Sequence, residues 1–186
     1  LTKFPADIQE TNAHIAGLKA DAQLAAAHPQ EKEVFCGMTI KGVTYDEKKT
    51  AGERLVLACS ELPNAEEKVI GSYRGFELSL RFDTFRTEYQ ALLKGQRKYT
   101  VPLGNDPLGN IIRLDNALNS FSERITAAEN ELDTLHQQQA AAQIEVEKPF
   151  PQEEELAEKS ARLAELNAQL DVDEKSHEPE QDEEEQ

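Results

Sequence analysis

Phe76-Glu77-Leu78-Ser79-Leu80-Arg81-Phe82 alternates apolar and polar residues without a break. That is the period of a β-strand whose two faces meet different surroundings. The spacing puts Phe76, Leu78, Leu80 and Phe82 on a core face and leaves Glu77, Ser79 and Arg81 on a wet face. Outward from this run, residues 68–103 hold further β-rich stretches parted by the turns Asp83-Thr84 and Lys94-Gly95-Gln96. A three-stranded antiparallel meander is predicted, with Tyr73 sharing the wet face with Arg81. Residues 34–40 add a short β-rich run that Gly42 releases, so a sheet of about four strands is expected.

Helical patterns flank the sheet. Thr44 with Glu47 three residues on reads as a capping box for a helix whose apolar face is Ala51, Leu55, Ala58 and Leu62, stopped by Pro63-Asn64. Phe4, Ile8, Thr11, Ile15, Leu18, Ala22 and Ala25 alternate steps of four and three. A longer stripe runs through Ile111, Leu114, Leu118, Phe121, Ile125, Ala128, Leu132, Leu135, Ala142 and Val146, interrupted at Gln139. At about 1.5 Å per residue it predicts a helix of about 50 Å, opened by Asp106 as N-cap and Pro107 at the first helical position. Pro149-Phe150-Pro151 ends it, and Leu156, Leu163, Leu166 and Leu170, with Lys159 in the seam, predict a helix that turns back.

The expected fold is therefore α+β: a small antiparallel sheet with one packed helix and a long antiparallel coiled-coil arm. Its parts are an N-terminal heptad helix (1–30), an α/β core (31–105), the long helix (106–148), a return helix (149–170) and a disordered acidic tail (171–186).

Composition narrows the function classes. The 186 residues suit one core, and the start at Leu1 reads as a piece of a longer protein. No secretory signal and no apolar run near the length of a membrane span is evident, so a cytoplasmic protein without membrane contact is expected. Cys36 and Cys59 are 23 residues apart in apolar stretches and read as buried free thiols. His14, His28, His136 and His177 are scattered, and no P-loop, dinucleotide fingerprint or nucleophile arrangement occurs. Neither a catalytic residue, a metal site nor a cofactor is expected.

The net charge of −16 is unevenly spread. Residues 171–186 carry −8, whereas residues 68–99 carry +4 from Lys68, Arg74, Arg81, Arg86, Lys94, Arg97 and Lys98 against three acids. The same segment holds Tyr73, Phe76, Phe82, Phe85, Tyr89 and Tyr99. Bases interleaved with aromatics are what phosphate contact and base stacking require. The candidates for a weak, mainly electrostatic DNA contact are Tyr73, Arg74, Arg81, Arg86, Lys94, Arg97 and Lys98.

Several stretches carry a family resemblance: Met38-Thr39-Ile40-Lys41-Gly42-Val43-Thr44-Tyr45, Tyr73-Arg74-Gly75-Phe76-Glu77-Leu78, Leu92-Leu93-Lys94-Gly95, Gly109-Asn110-Ile111-Ile112-Arg113-Leu114-Asp115-Asn116-Ala117-Leu118, and Val146-Glu147-Lys148-Pro149-Phe150-Pro151-Gln152. Together, over most of residues 1–170, they resemble the C-terminal region of very large proteins of conjugative elements of gut bacteria. Those proteins join an adenine DNA methyltransferase-like module to a Snf-type helicase. The resemblance implies a non-catalytic accessory region of a DNA-processing protein, since the family's ATPase and methyltransferase motifs lie upstream of it. It would position DNA or a protein partner. The alternative is a dimerisation or scaffold module whose coiled-coil arm meets another copy or another protein, with no nucleic-acid contact.

Overall fold

The computed structural model describes residues 3–30, 34–148 and 153–175. The chain divides into two compact units, Leu1–Gln139 and Ala140–Gln186.

In the first unit a six-stranded antiparallel sheet forms from β1 (Met38–Ile40), β2 (Val43–Tyr45), β3 (Lys68–Tyr73), β4 (Phe76–Asp83), β5 (Glu88–Lys94) and β6 (Lys98–Pro102), in the order β2-β1-β3-β4-β5-β6. The sheet thus has six strands where about four were expected. Both extra strands come from hairpins of two-residue turns. Lys41-Gly42 and Arg74-Gly75 each hold two successive residues at positive φ, 50° and 80° in the first and 48° and 82° in the second. This left-handed pair matches the twist of the flanking strands. Ile40 therefore pairs with Val43, and Tyr73 with Phe76.

The Tyr73–Phe76 pairing overturns the expected facing of Tyr73. Directly opposed residues of an antiparallel pair share a face, so Tyr73 joins Phe76 in the core, where it is 1% exposed. Within β4 the expected core residues Phe76, Leu78 and Leu80 are fully buried, but Phe82 is only half-buried and lies outside the core cluster, and Ser79, expected to be wet, is 1% exposed.

Four helices supply the other side of that core. They are α1 (Lys3–Ala27), α2 (Lys48–Ser60), α3 (Pro107–Asn119) and α4 (Phe121–Glu147). Ile15, Leu18 and Ala25 of α1, Leu55 and Ala58 of α2, Ile111, Leu114 and Leu118 of α3, and Phe121 and Ala128 of α4 join the core-facing strand residues in one cluster. More than the one expected helix therefore covers the sheet. Thr44 belongs to β2 rather than to a capping box, and Glu47 is the residue before α2. Asp106 caps α3 as expected, accepting from the Leu108 and Gly109 amides at 3.2 and 3.0 Å.

The long stripe is one pattern but two helices. The chain breaks at Ser120, whose hydroxyl donates to the Ala117 carbonyl at 3.0 Å and accepts from Arg124 Nε at 2.9 Å. Ile111, Leu114 and Leu118 are thus domain core, not arm. α1 and the start of α4 face each other, joined by a Lys19–Glu129 ion pair of 2.7 Å.

The second unit contains the end of α4 and α5 (Glu153–Lys175). Its apolar residues Ile144, Val146, Leu156, Leu163 and Leu166 are exposed. Leu156, Leu163 and Leu166 of the expected return helix therefore do not bury the stripe end at Ile144 and Val146, and the Leu170 side chain lies outside the described residues. α5 continues to Lys175, past the expected start of the tail. The Pro149-Phe150-Pro151 turn, and the disorder expected of the tail beyond Lys175, lie outside the described residues. Among the described residues no helix is long and apolar enough to cross a membrane.

Candidate nucleic-acid interface

The face of the sheet opposite the helices is polar, and its register is continuous. Thr44, Thr39, Ser72, Glu77, Lys94 and Lys98 form one cross-strand row. Val69, Ser79, Leu92 and Thr100 form the next, and Arg81, Gln90 and Pro102 a third. Lys98 on β6 reaches Glu67, which precedes β3, at 2.7 Å. On a flat sheet three strand spacings alone span about 14 Å, so the contact requires the sheet to curl toward this face. Curling also accounts for the burial of Ser79, Gln90 and Leu92, each 1% exposed on this face.

The seven candidates separate by environment. Arg81, Lys94 and Lys98 share the curled face. Arg81 donates from Nε to Gln90 Oε1 at 2.9 Å, and Lys94 lies 3.7 Å from Glu77. The Lys98 ammonium, with help from the Arg81 charge, holds the Glu67 carboxyl below its usual range. Arg86 is exposed at the tip of the β4–β5 hairpin. Arg97 turns to the helical side, where its stem lies over Gly17. There it lines a cavity of about 510 Å³ with Asp7, Glu10, His14 and Glu131.

Arg74 and Tyr73 are structural. The Arg74 guanidinium donates to Asn119 Oδ1 at 3.0 Å, to Asp115 Oδ1 at 3.4 Å and, from Nε, to the His28 carbonyl at 3.0 Å. The Tyr73 hydroxyl donates to the same Asp115 oxygen at 2.7 Å, and burial followed by that carboxylate pushes the phenol far above its ordinary pKa. This cluster ties the β3–β4 turn to α3 and to the end of α1. Buried side chains of this kind are closed to a ligand on the opposite face.

A second buried anchor escaped the sequence reading. Asp21, 1% exposed on α1, accepts from the Gln96 amide at 2.6 Å, the Arg97 amide at 2.9 Å and the Tyr99 hydroxyl at 2.6 Å. A Cβ on Gly95 would stand 2.2 Å from Asp21 Oδ1, so the β5–β6 turn is built around that carboxylate. Its one sequence signal is Gly95 in a three-residue turn, which does not name a partner so far along the chain.

The β4–β5 hairpin is held by polar groups. Asp83 Oδ1 accepts from the Phe85 and Arg86 amides at 3.0 and 3.1 Å, and these bonds, with the Arg86 charge, keep its carboxyl below the ordinary range. Gln90 Nε2 donates to Asp83 Oδ2 and Glu88 Oε1, both at 3.0 Å. Thr87 sits at φ 56°, a strained position for a β-branched residue. Phe85, at the tip, is 95% exposed.

Both cysteines are free. Cys59 is buried, which pushes its thiol up to about 11, whereas Cys36, expected in the core, is exposed in the loop before β1. No group of three or more His, Cys, Asp or Glu among the described residues is placed to hold a metal ion. No protein-family model, no curated protein and no solved structure matches this chain.

Proposed function

We propose that this chain is a non-catalytic accessory region of a larger, cytoplasmic, DNA-processing protein of the helicase and methyltransferase-like kind, and that it positions DNA by weak electrostatic contact. The observation that supports this reading is the curled polar face, which presents Arg81, Lys94 and Lys98 opposite the helices. Lys94 and Lys98 are engaged by Glu77 and Glu67 at the surface. Exposed pairs contribute only about 0–1 kcal/mol, so a phosphate can replace either carboxylate at small cost. The net charge of −16 keeps the affinity low.

Fluorescence anisotropy with a labelled single-stranded oligonucleotide tests the proposal. Binding is expected to weaken steadily from about 50 to about 200 mM salt, and Lys94→Gln and Lys98→Gln should each reduce the log–log salt slope by about 0.7. Binding that ignores both salt and these substitutions contradicts it.

The exposed apolar residues of the second unit favour a second reading, in which an antiparallel coiled-coil arm joins another copy of the chain. Leu156, Leu163 and Leu166 are 66%, 62% and 48% exposed. A leucine seam of this kind buries its surface on association. Light scattering should then show a concentration-dependent dimer that Leu163→Asp dissociates, whereas a strict monomer at every concentration rules out self-association.

A further inference from the structure

Phe85 is the outlier of this surface. It is 95% exposed, while every other described aromatic residue is buried or partly buried. A free phenylalanine on an unbraced loop would carry little meaning, but the backbone that carries this one is tied by hydrogen bonds. The pairing of Asp83 with Glu88 closes a loop of Thr84, Phe85, Arg86 and Thr87. Asp83 fixes the Phe85 and Arg86 amides from inside that loop, and Gln90, itself 1% exposed, fixes both Asp83 and Glu88. Arg81 completes the brace by donating to Gln90. Thr87 holds a left-handed conformation that its β-branched side chain disfavours.

At the base of the loop Glu88 is turned to Gln90, while Asp83 is shared between Gln90 and the Phe85 and Arg86 amides, with the Arg86 charge close to it. An aromatic ring, one guanidinium and two threonine hydroxyls remain at the tip, all of them exposed. We propose that this tip engages single-stranded DNA, with the Phe85 ring stacked on an unpaired base and Arg86 on a neighbouring phosphate. The inference rests on the DNA contact proposed for the sheet face and assigns it a stacking point. The tip closes the hairpin that carries Arg81 and Lys94 on that face, so one strand of nucleic acid can follow the phosphate contacts to the ring. Stacked bases inside a duplex offer the ring no partner, which makes the tip selective for single strands. Fitting into an apolar pocket of another protein is the competing use of such a ring. The single cation and two hydroxyls around it match a sugar–phosphate chain better than a dry pocket.

The experiment compares the full chain with Phe85→Ala and Phe85→Trp, using a labelled oligothymidylate and a duplex of equal length at about 50 mM salt. Phe85→Ala should weaken single-strand binding by about 5- to 100-fold, leave duplex binding and the melting temperature unchanged, and be rescued by Phe85→Trp. Lys94→Gln in the same series separates the two levels of the argument. Oligothymidylate affinity that falls with Lys94→Gln but not with Phe85→Ala overturns the stacking tip and leaves the sheet-face reading standing. Absence of binding by the unaltered chain to either DNA overturns both, and is the result that a tip built for a protein pocket would give.

Discussion

Replacing Asp21 by alanine is expected to destabilise the first unit by about 3–5 kcal/mol and to lower its melting temperature by about 10 °C, read by circular dichroism on the full chain. The magnitude follows from what the substitution strands. The carboxylate is 1% exposed and is the acceptor for two backbone amides and one phenol. Removing it leaves these donors facing an apolar helix, and an unsatisfied buried donor costs more than a hydrogen bond contributes net. Tyr99→Phe removes one donor and no acceptor, so it should cost only about 1 kcal/mol. The Tyr99 ring keeps its edge-on contact with Phe121 at 5.1 Å and its place under Arg124. A loss for Asp21→Ala no greater than that for Tyr99→Phe would show that the turn does not depend on the carboxylate.

Asp115→Ala is expected to cost a similar amount, about 3–5 kcal/mol, because it strips a buried guanidinium of its counter-charge. The Arg74 side chain is 5% exposed and keeps only the Asn119 amide oxygen and the His28 and Ala25 carbonyls once Asp115 is gone. Neutral acceptors do not offset the desolvation of a cation as a carboxylate does. Removing both charges in Arg74→Met/Asp115→Leu should recover much of the loss, since a well-packed apolar pair can match a buried ion pair. Urea denaturation of the two variants decides the matter. A double variant less stable than Asp115→Ala would mean that Arg74 contributes mainly through its hydrogen bonds to the backbone of α1 and of the loop after it.

Much of the scaffold could be read along the chain because short-range periodicity creates it. The β4 alternation named Phe76, Leu78 and Leu80 as core, missing only at Phe82, which is half-buried near the hairpin end, and the steps of four and three in α1 fall on Ile15, Leu18 and Ala25, all buried. What escaped the reading lay in turns and in long-range polar contacts. Lys41-Gly42 and Arg74-Gly75 form left-handed hairpin turns, yet a lysine or arginine before glycine is a weaker signal than asparagine or aspartate there. Missing the second turn shifted the parity of one strand, and Tyr73 changed faces. Periodicity passed through the break at Ser120 because no glycine or proline marks it.

The candidate interface was legible only in part, for the same reason. Sequence counts charges without showing which are already paired. Arg74 proved to be a buried brace, and Arg97 lies among Asp7, Glu10 and Glu131 on the helical side. Phe85, one aromatic among six in the segment, became notable only when the others were placed in or near the core.

Whether DNA meets the curled sheet face and its hairpin tip is decided by amide chemical-shift mapping of the full chain, titrated with a single-stranded oligonucleotide at low salt. The expected shifts gather on Arg81, Lys94, Lys98 and Thr84 to Thr87 and fade as salt is raised. Shifts confined to α1 and α4, or none at all, would contradict the account.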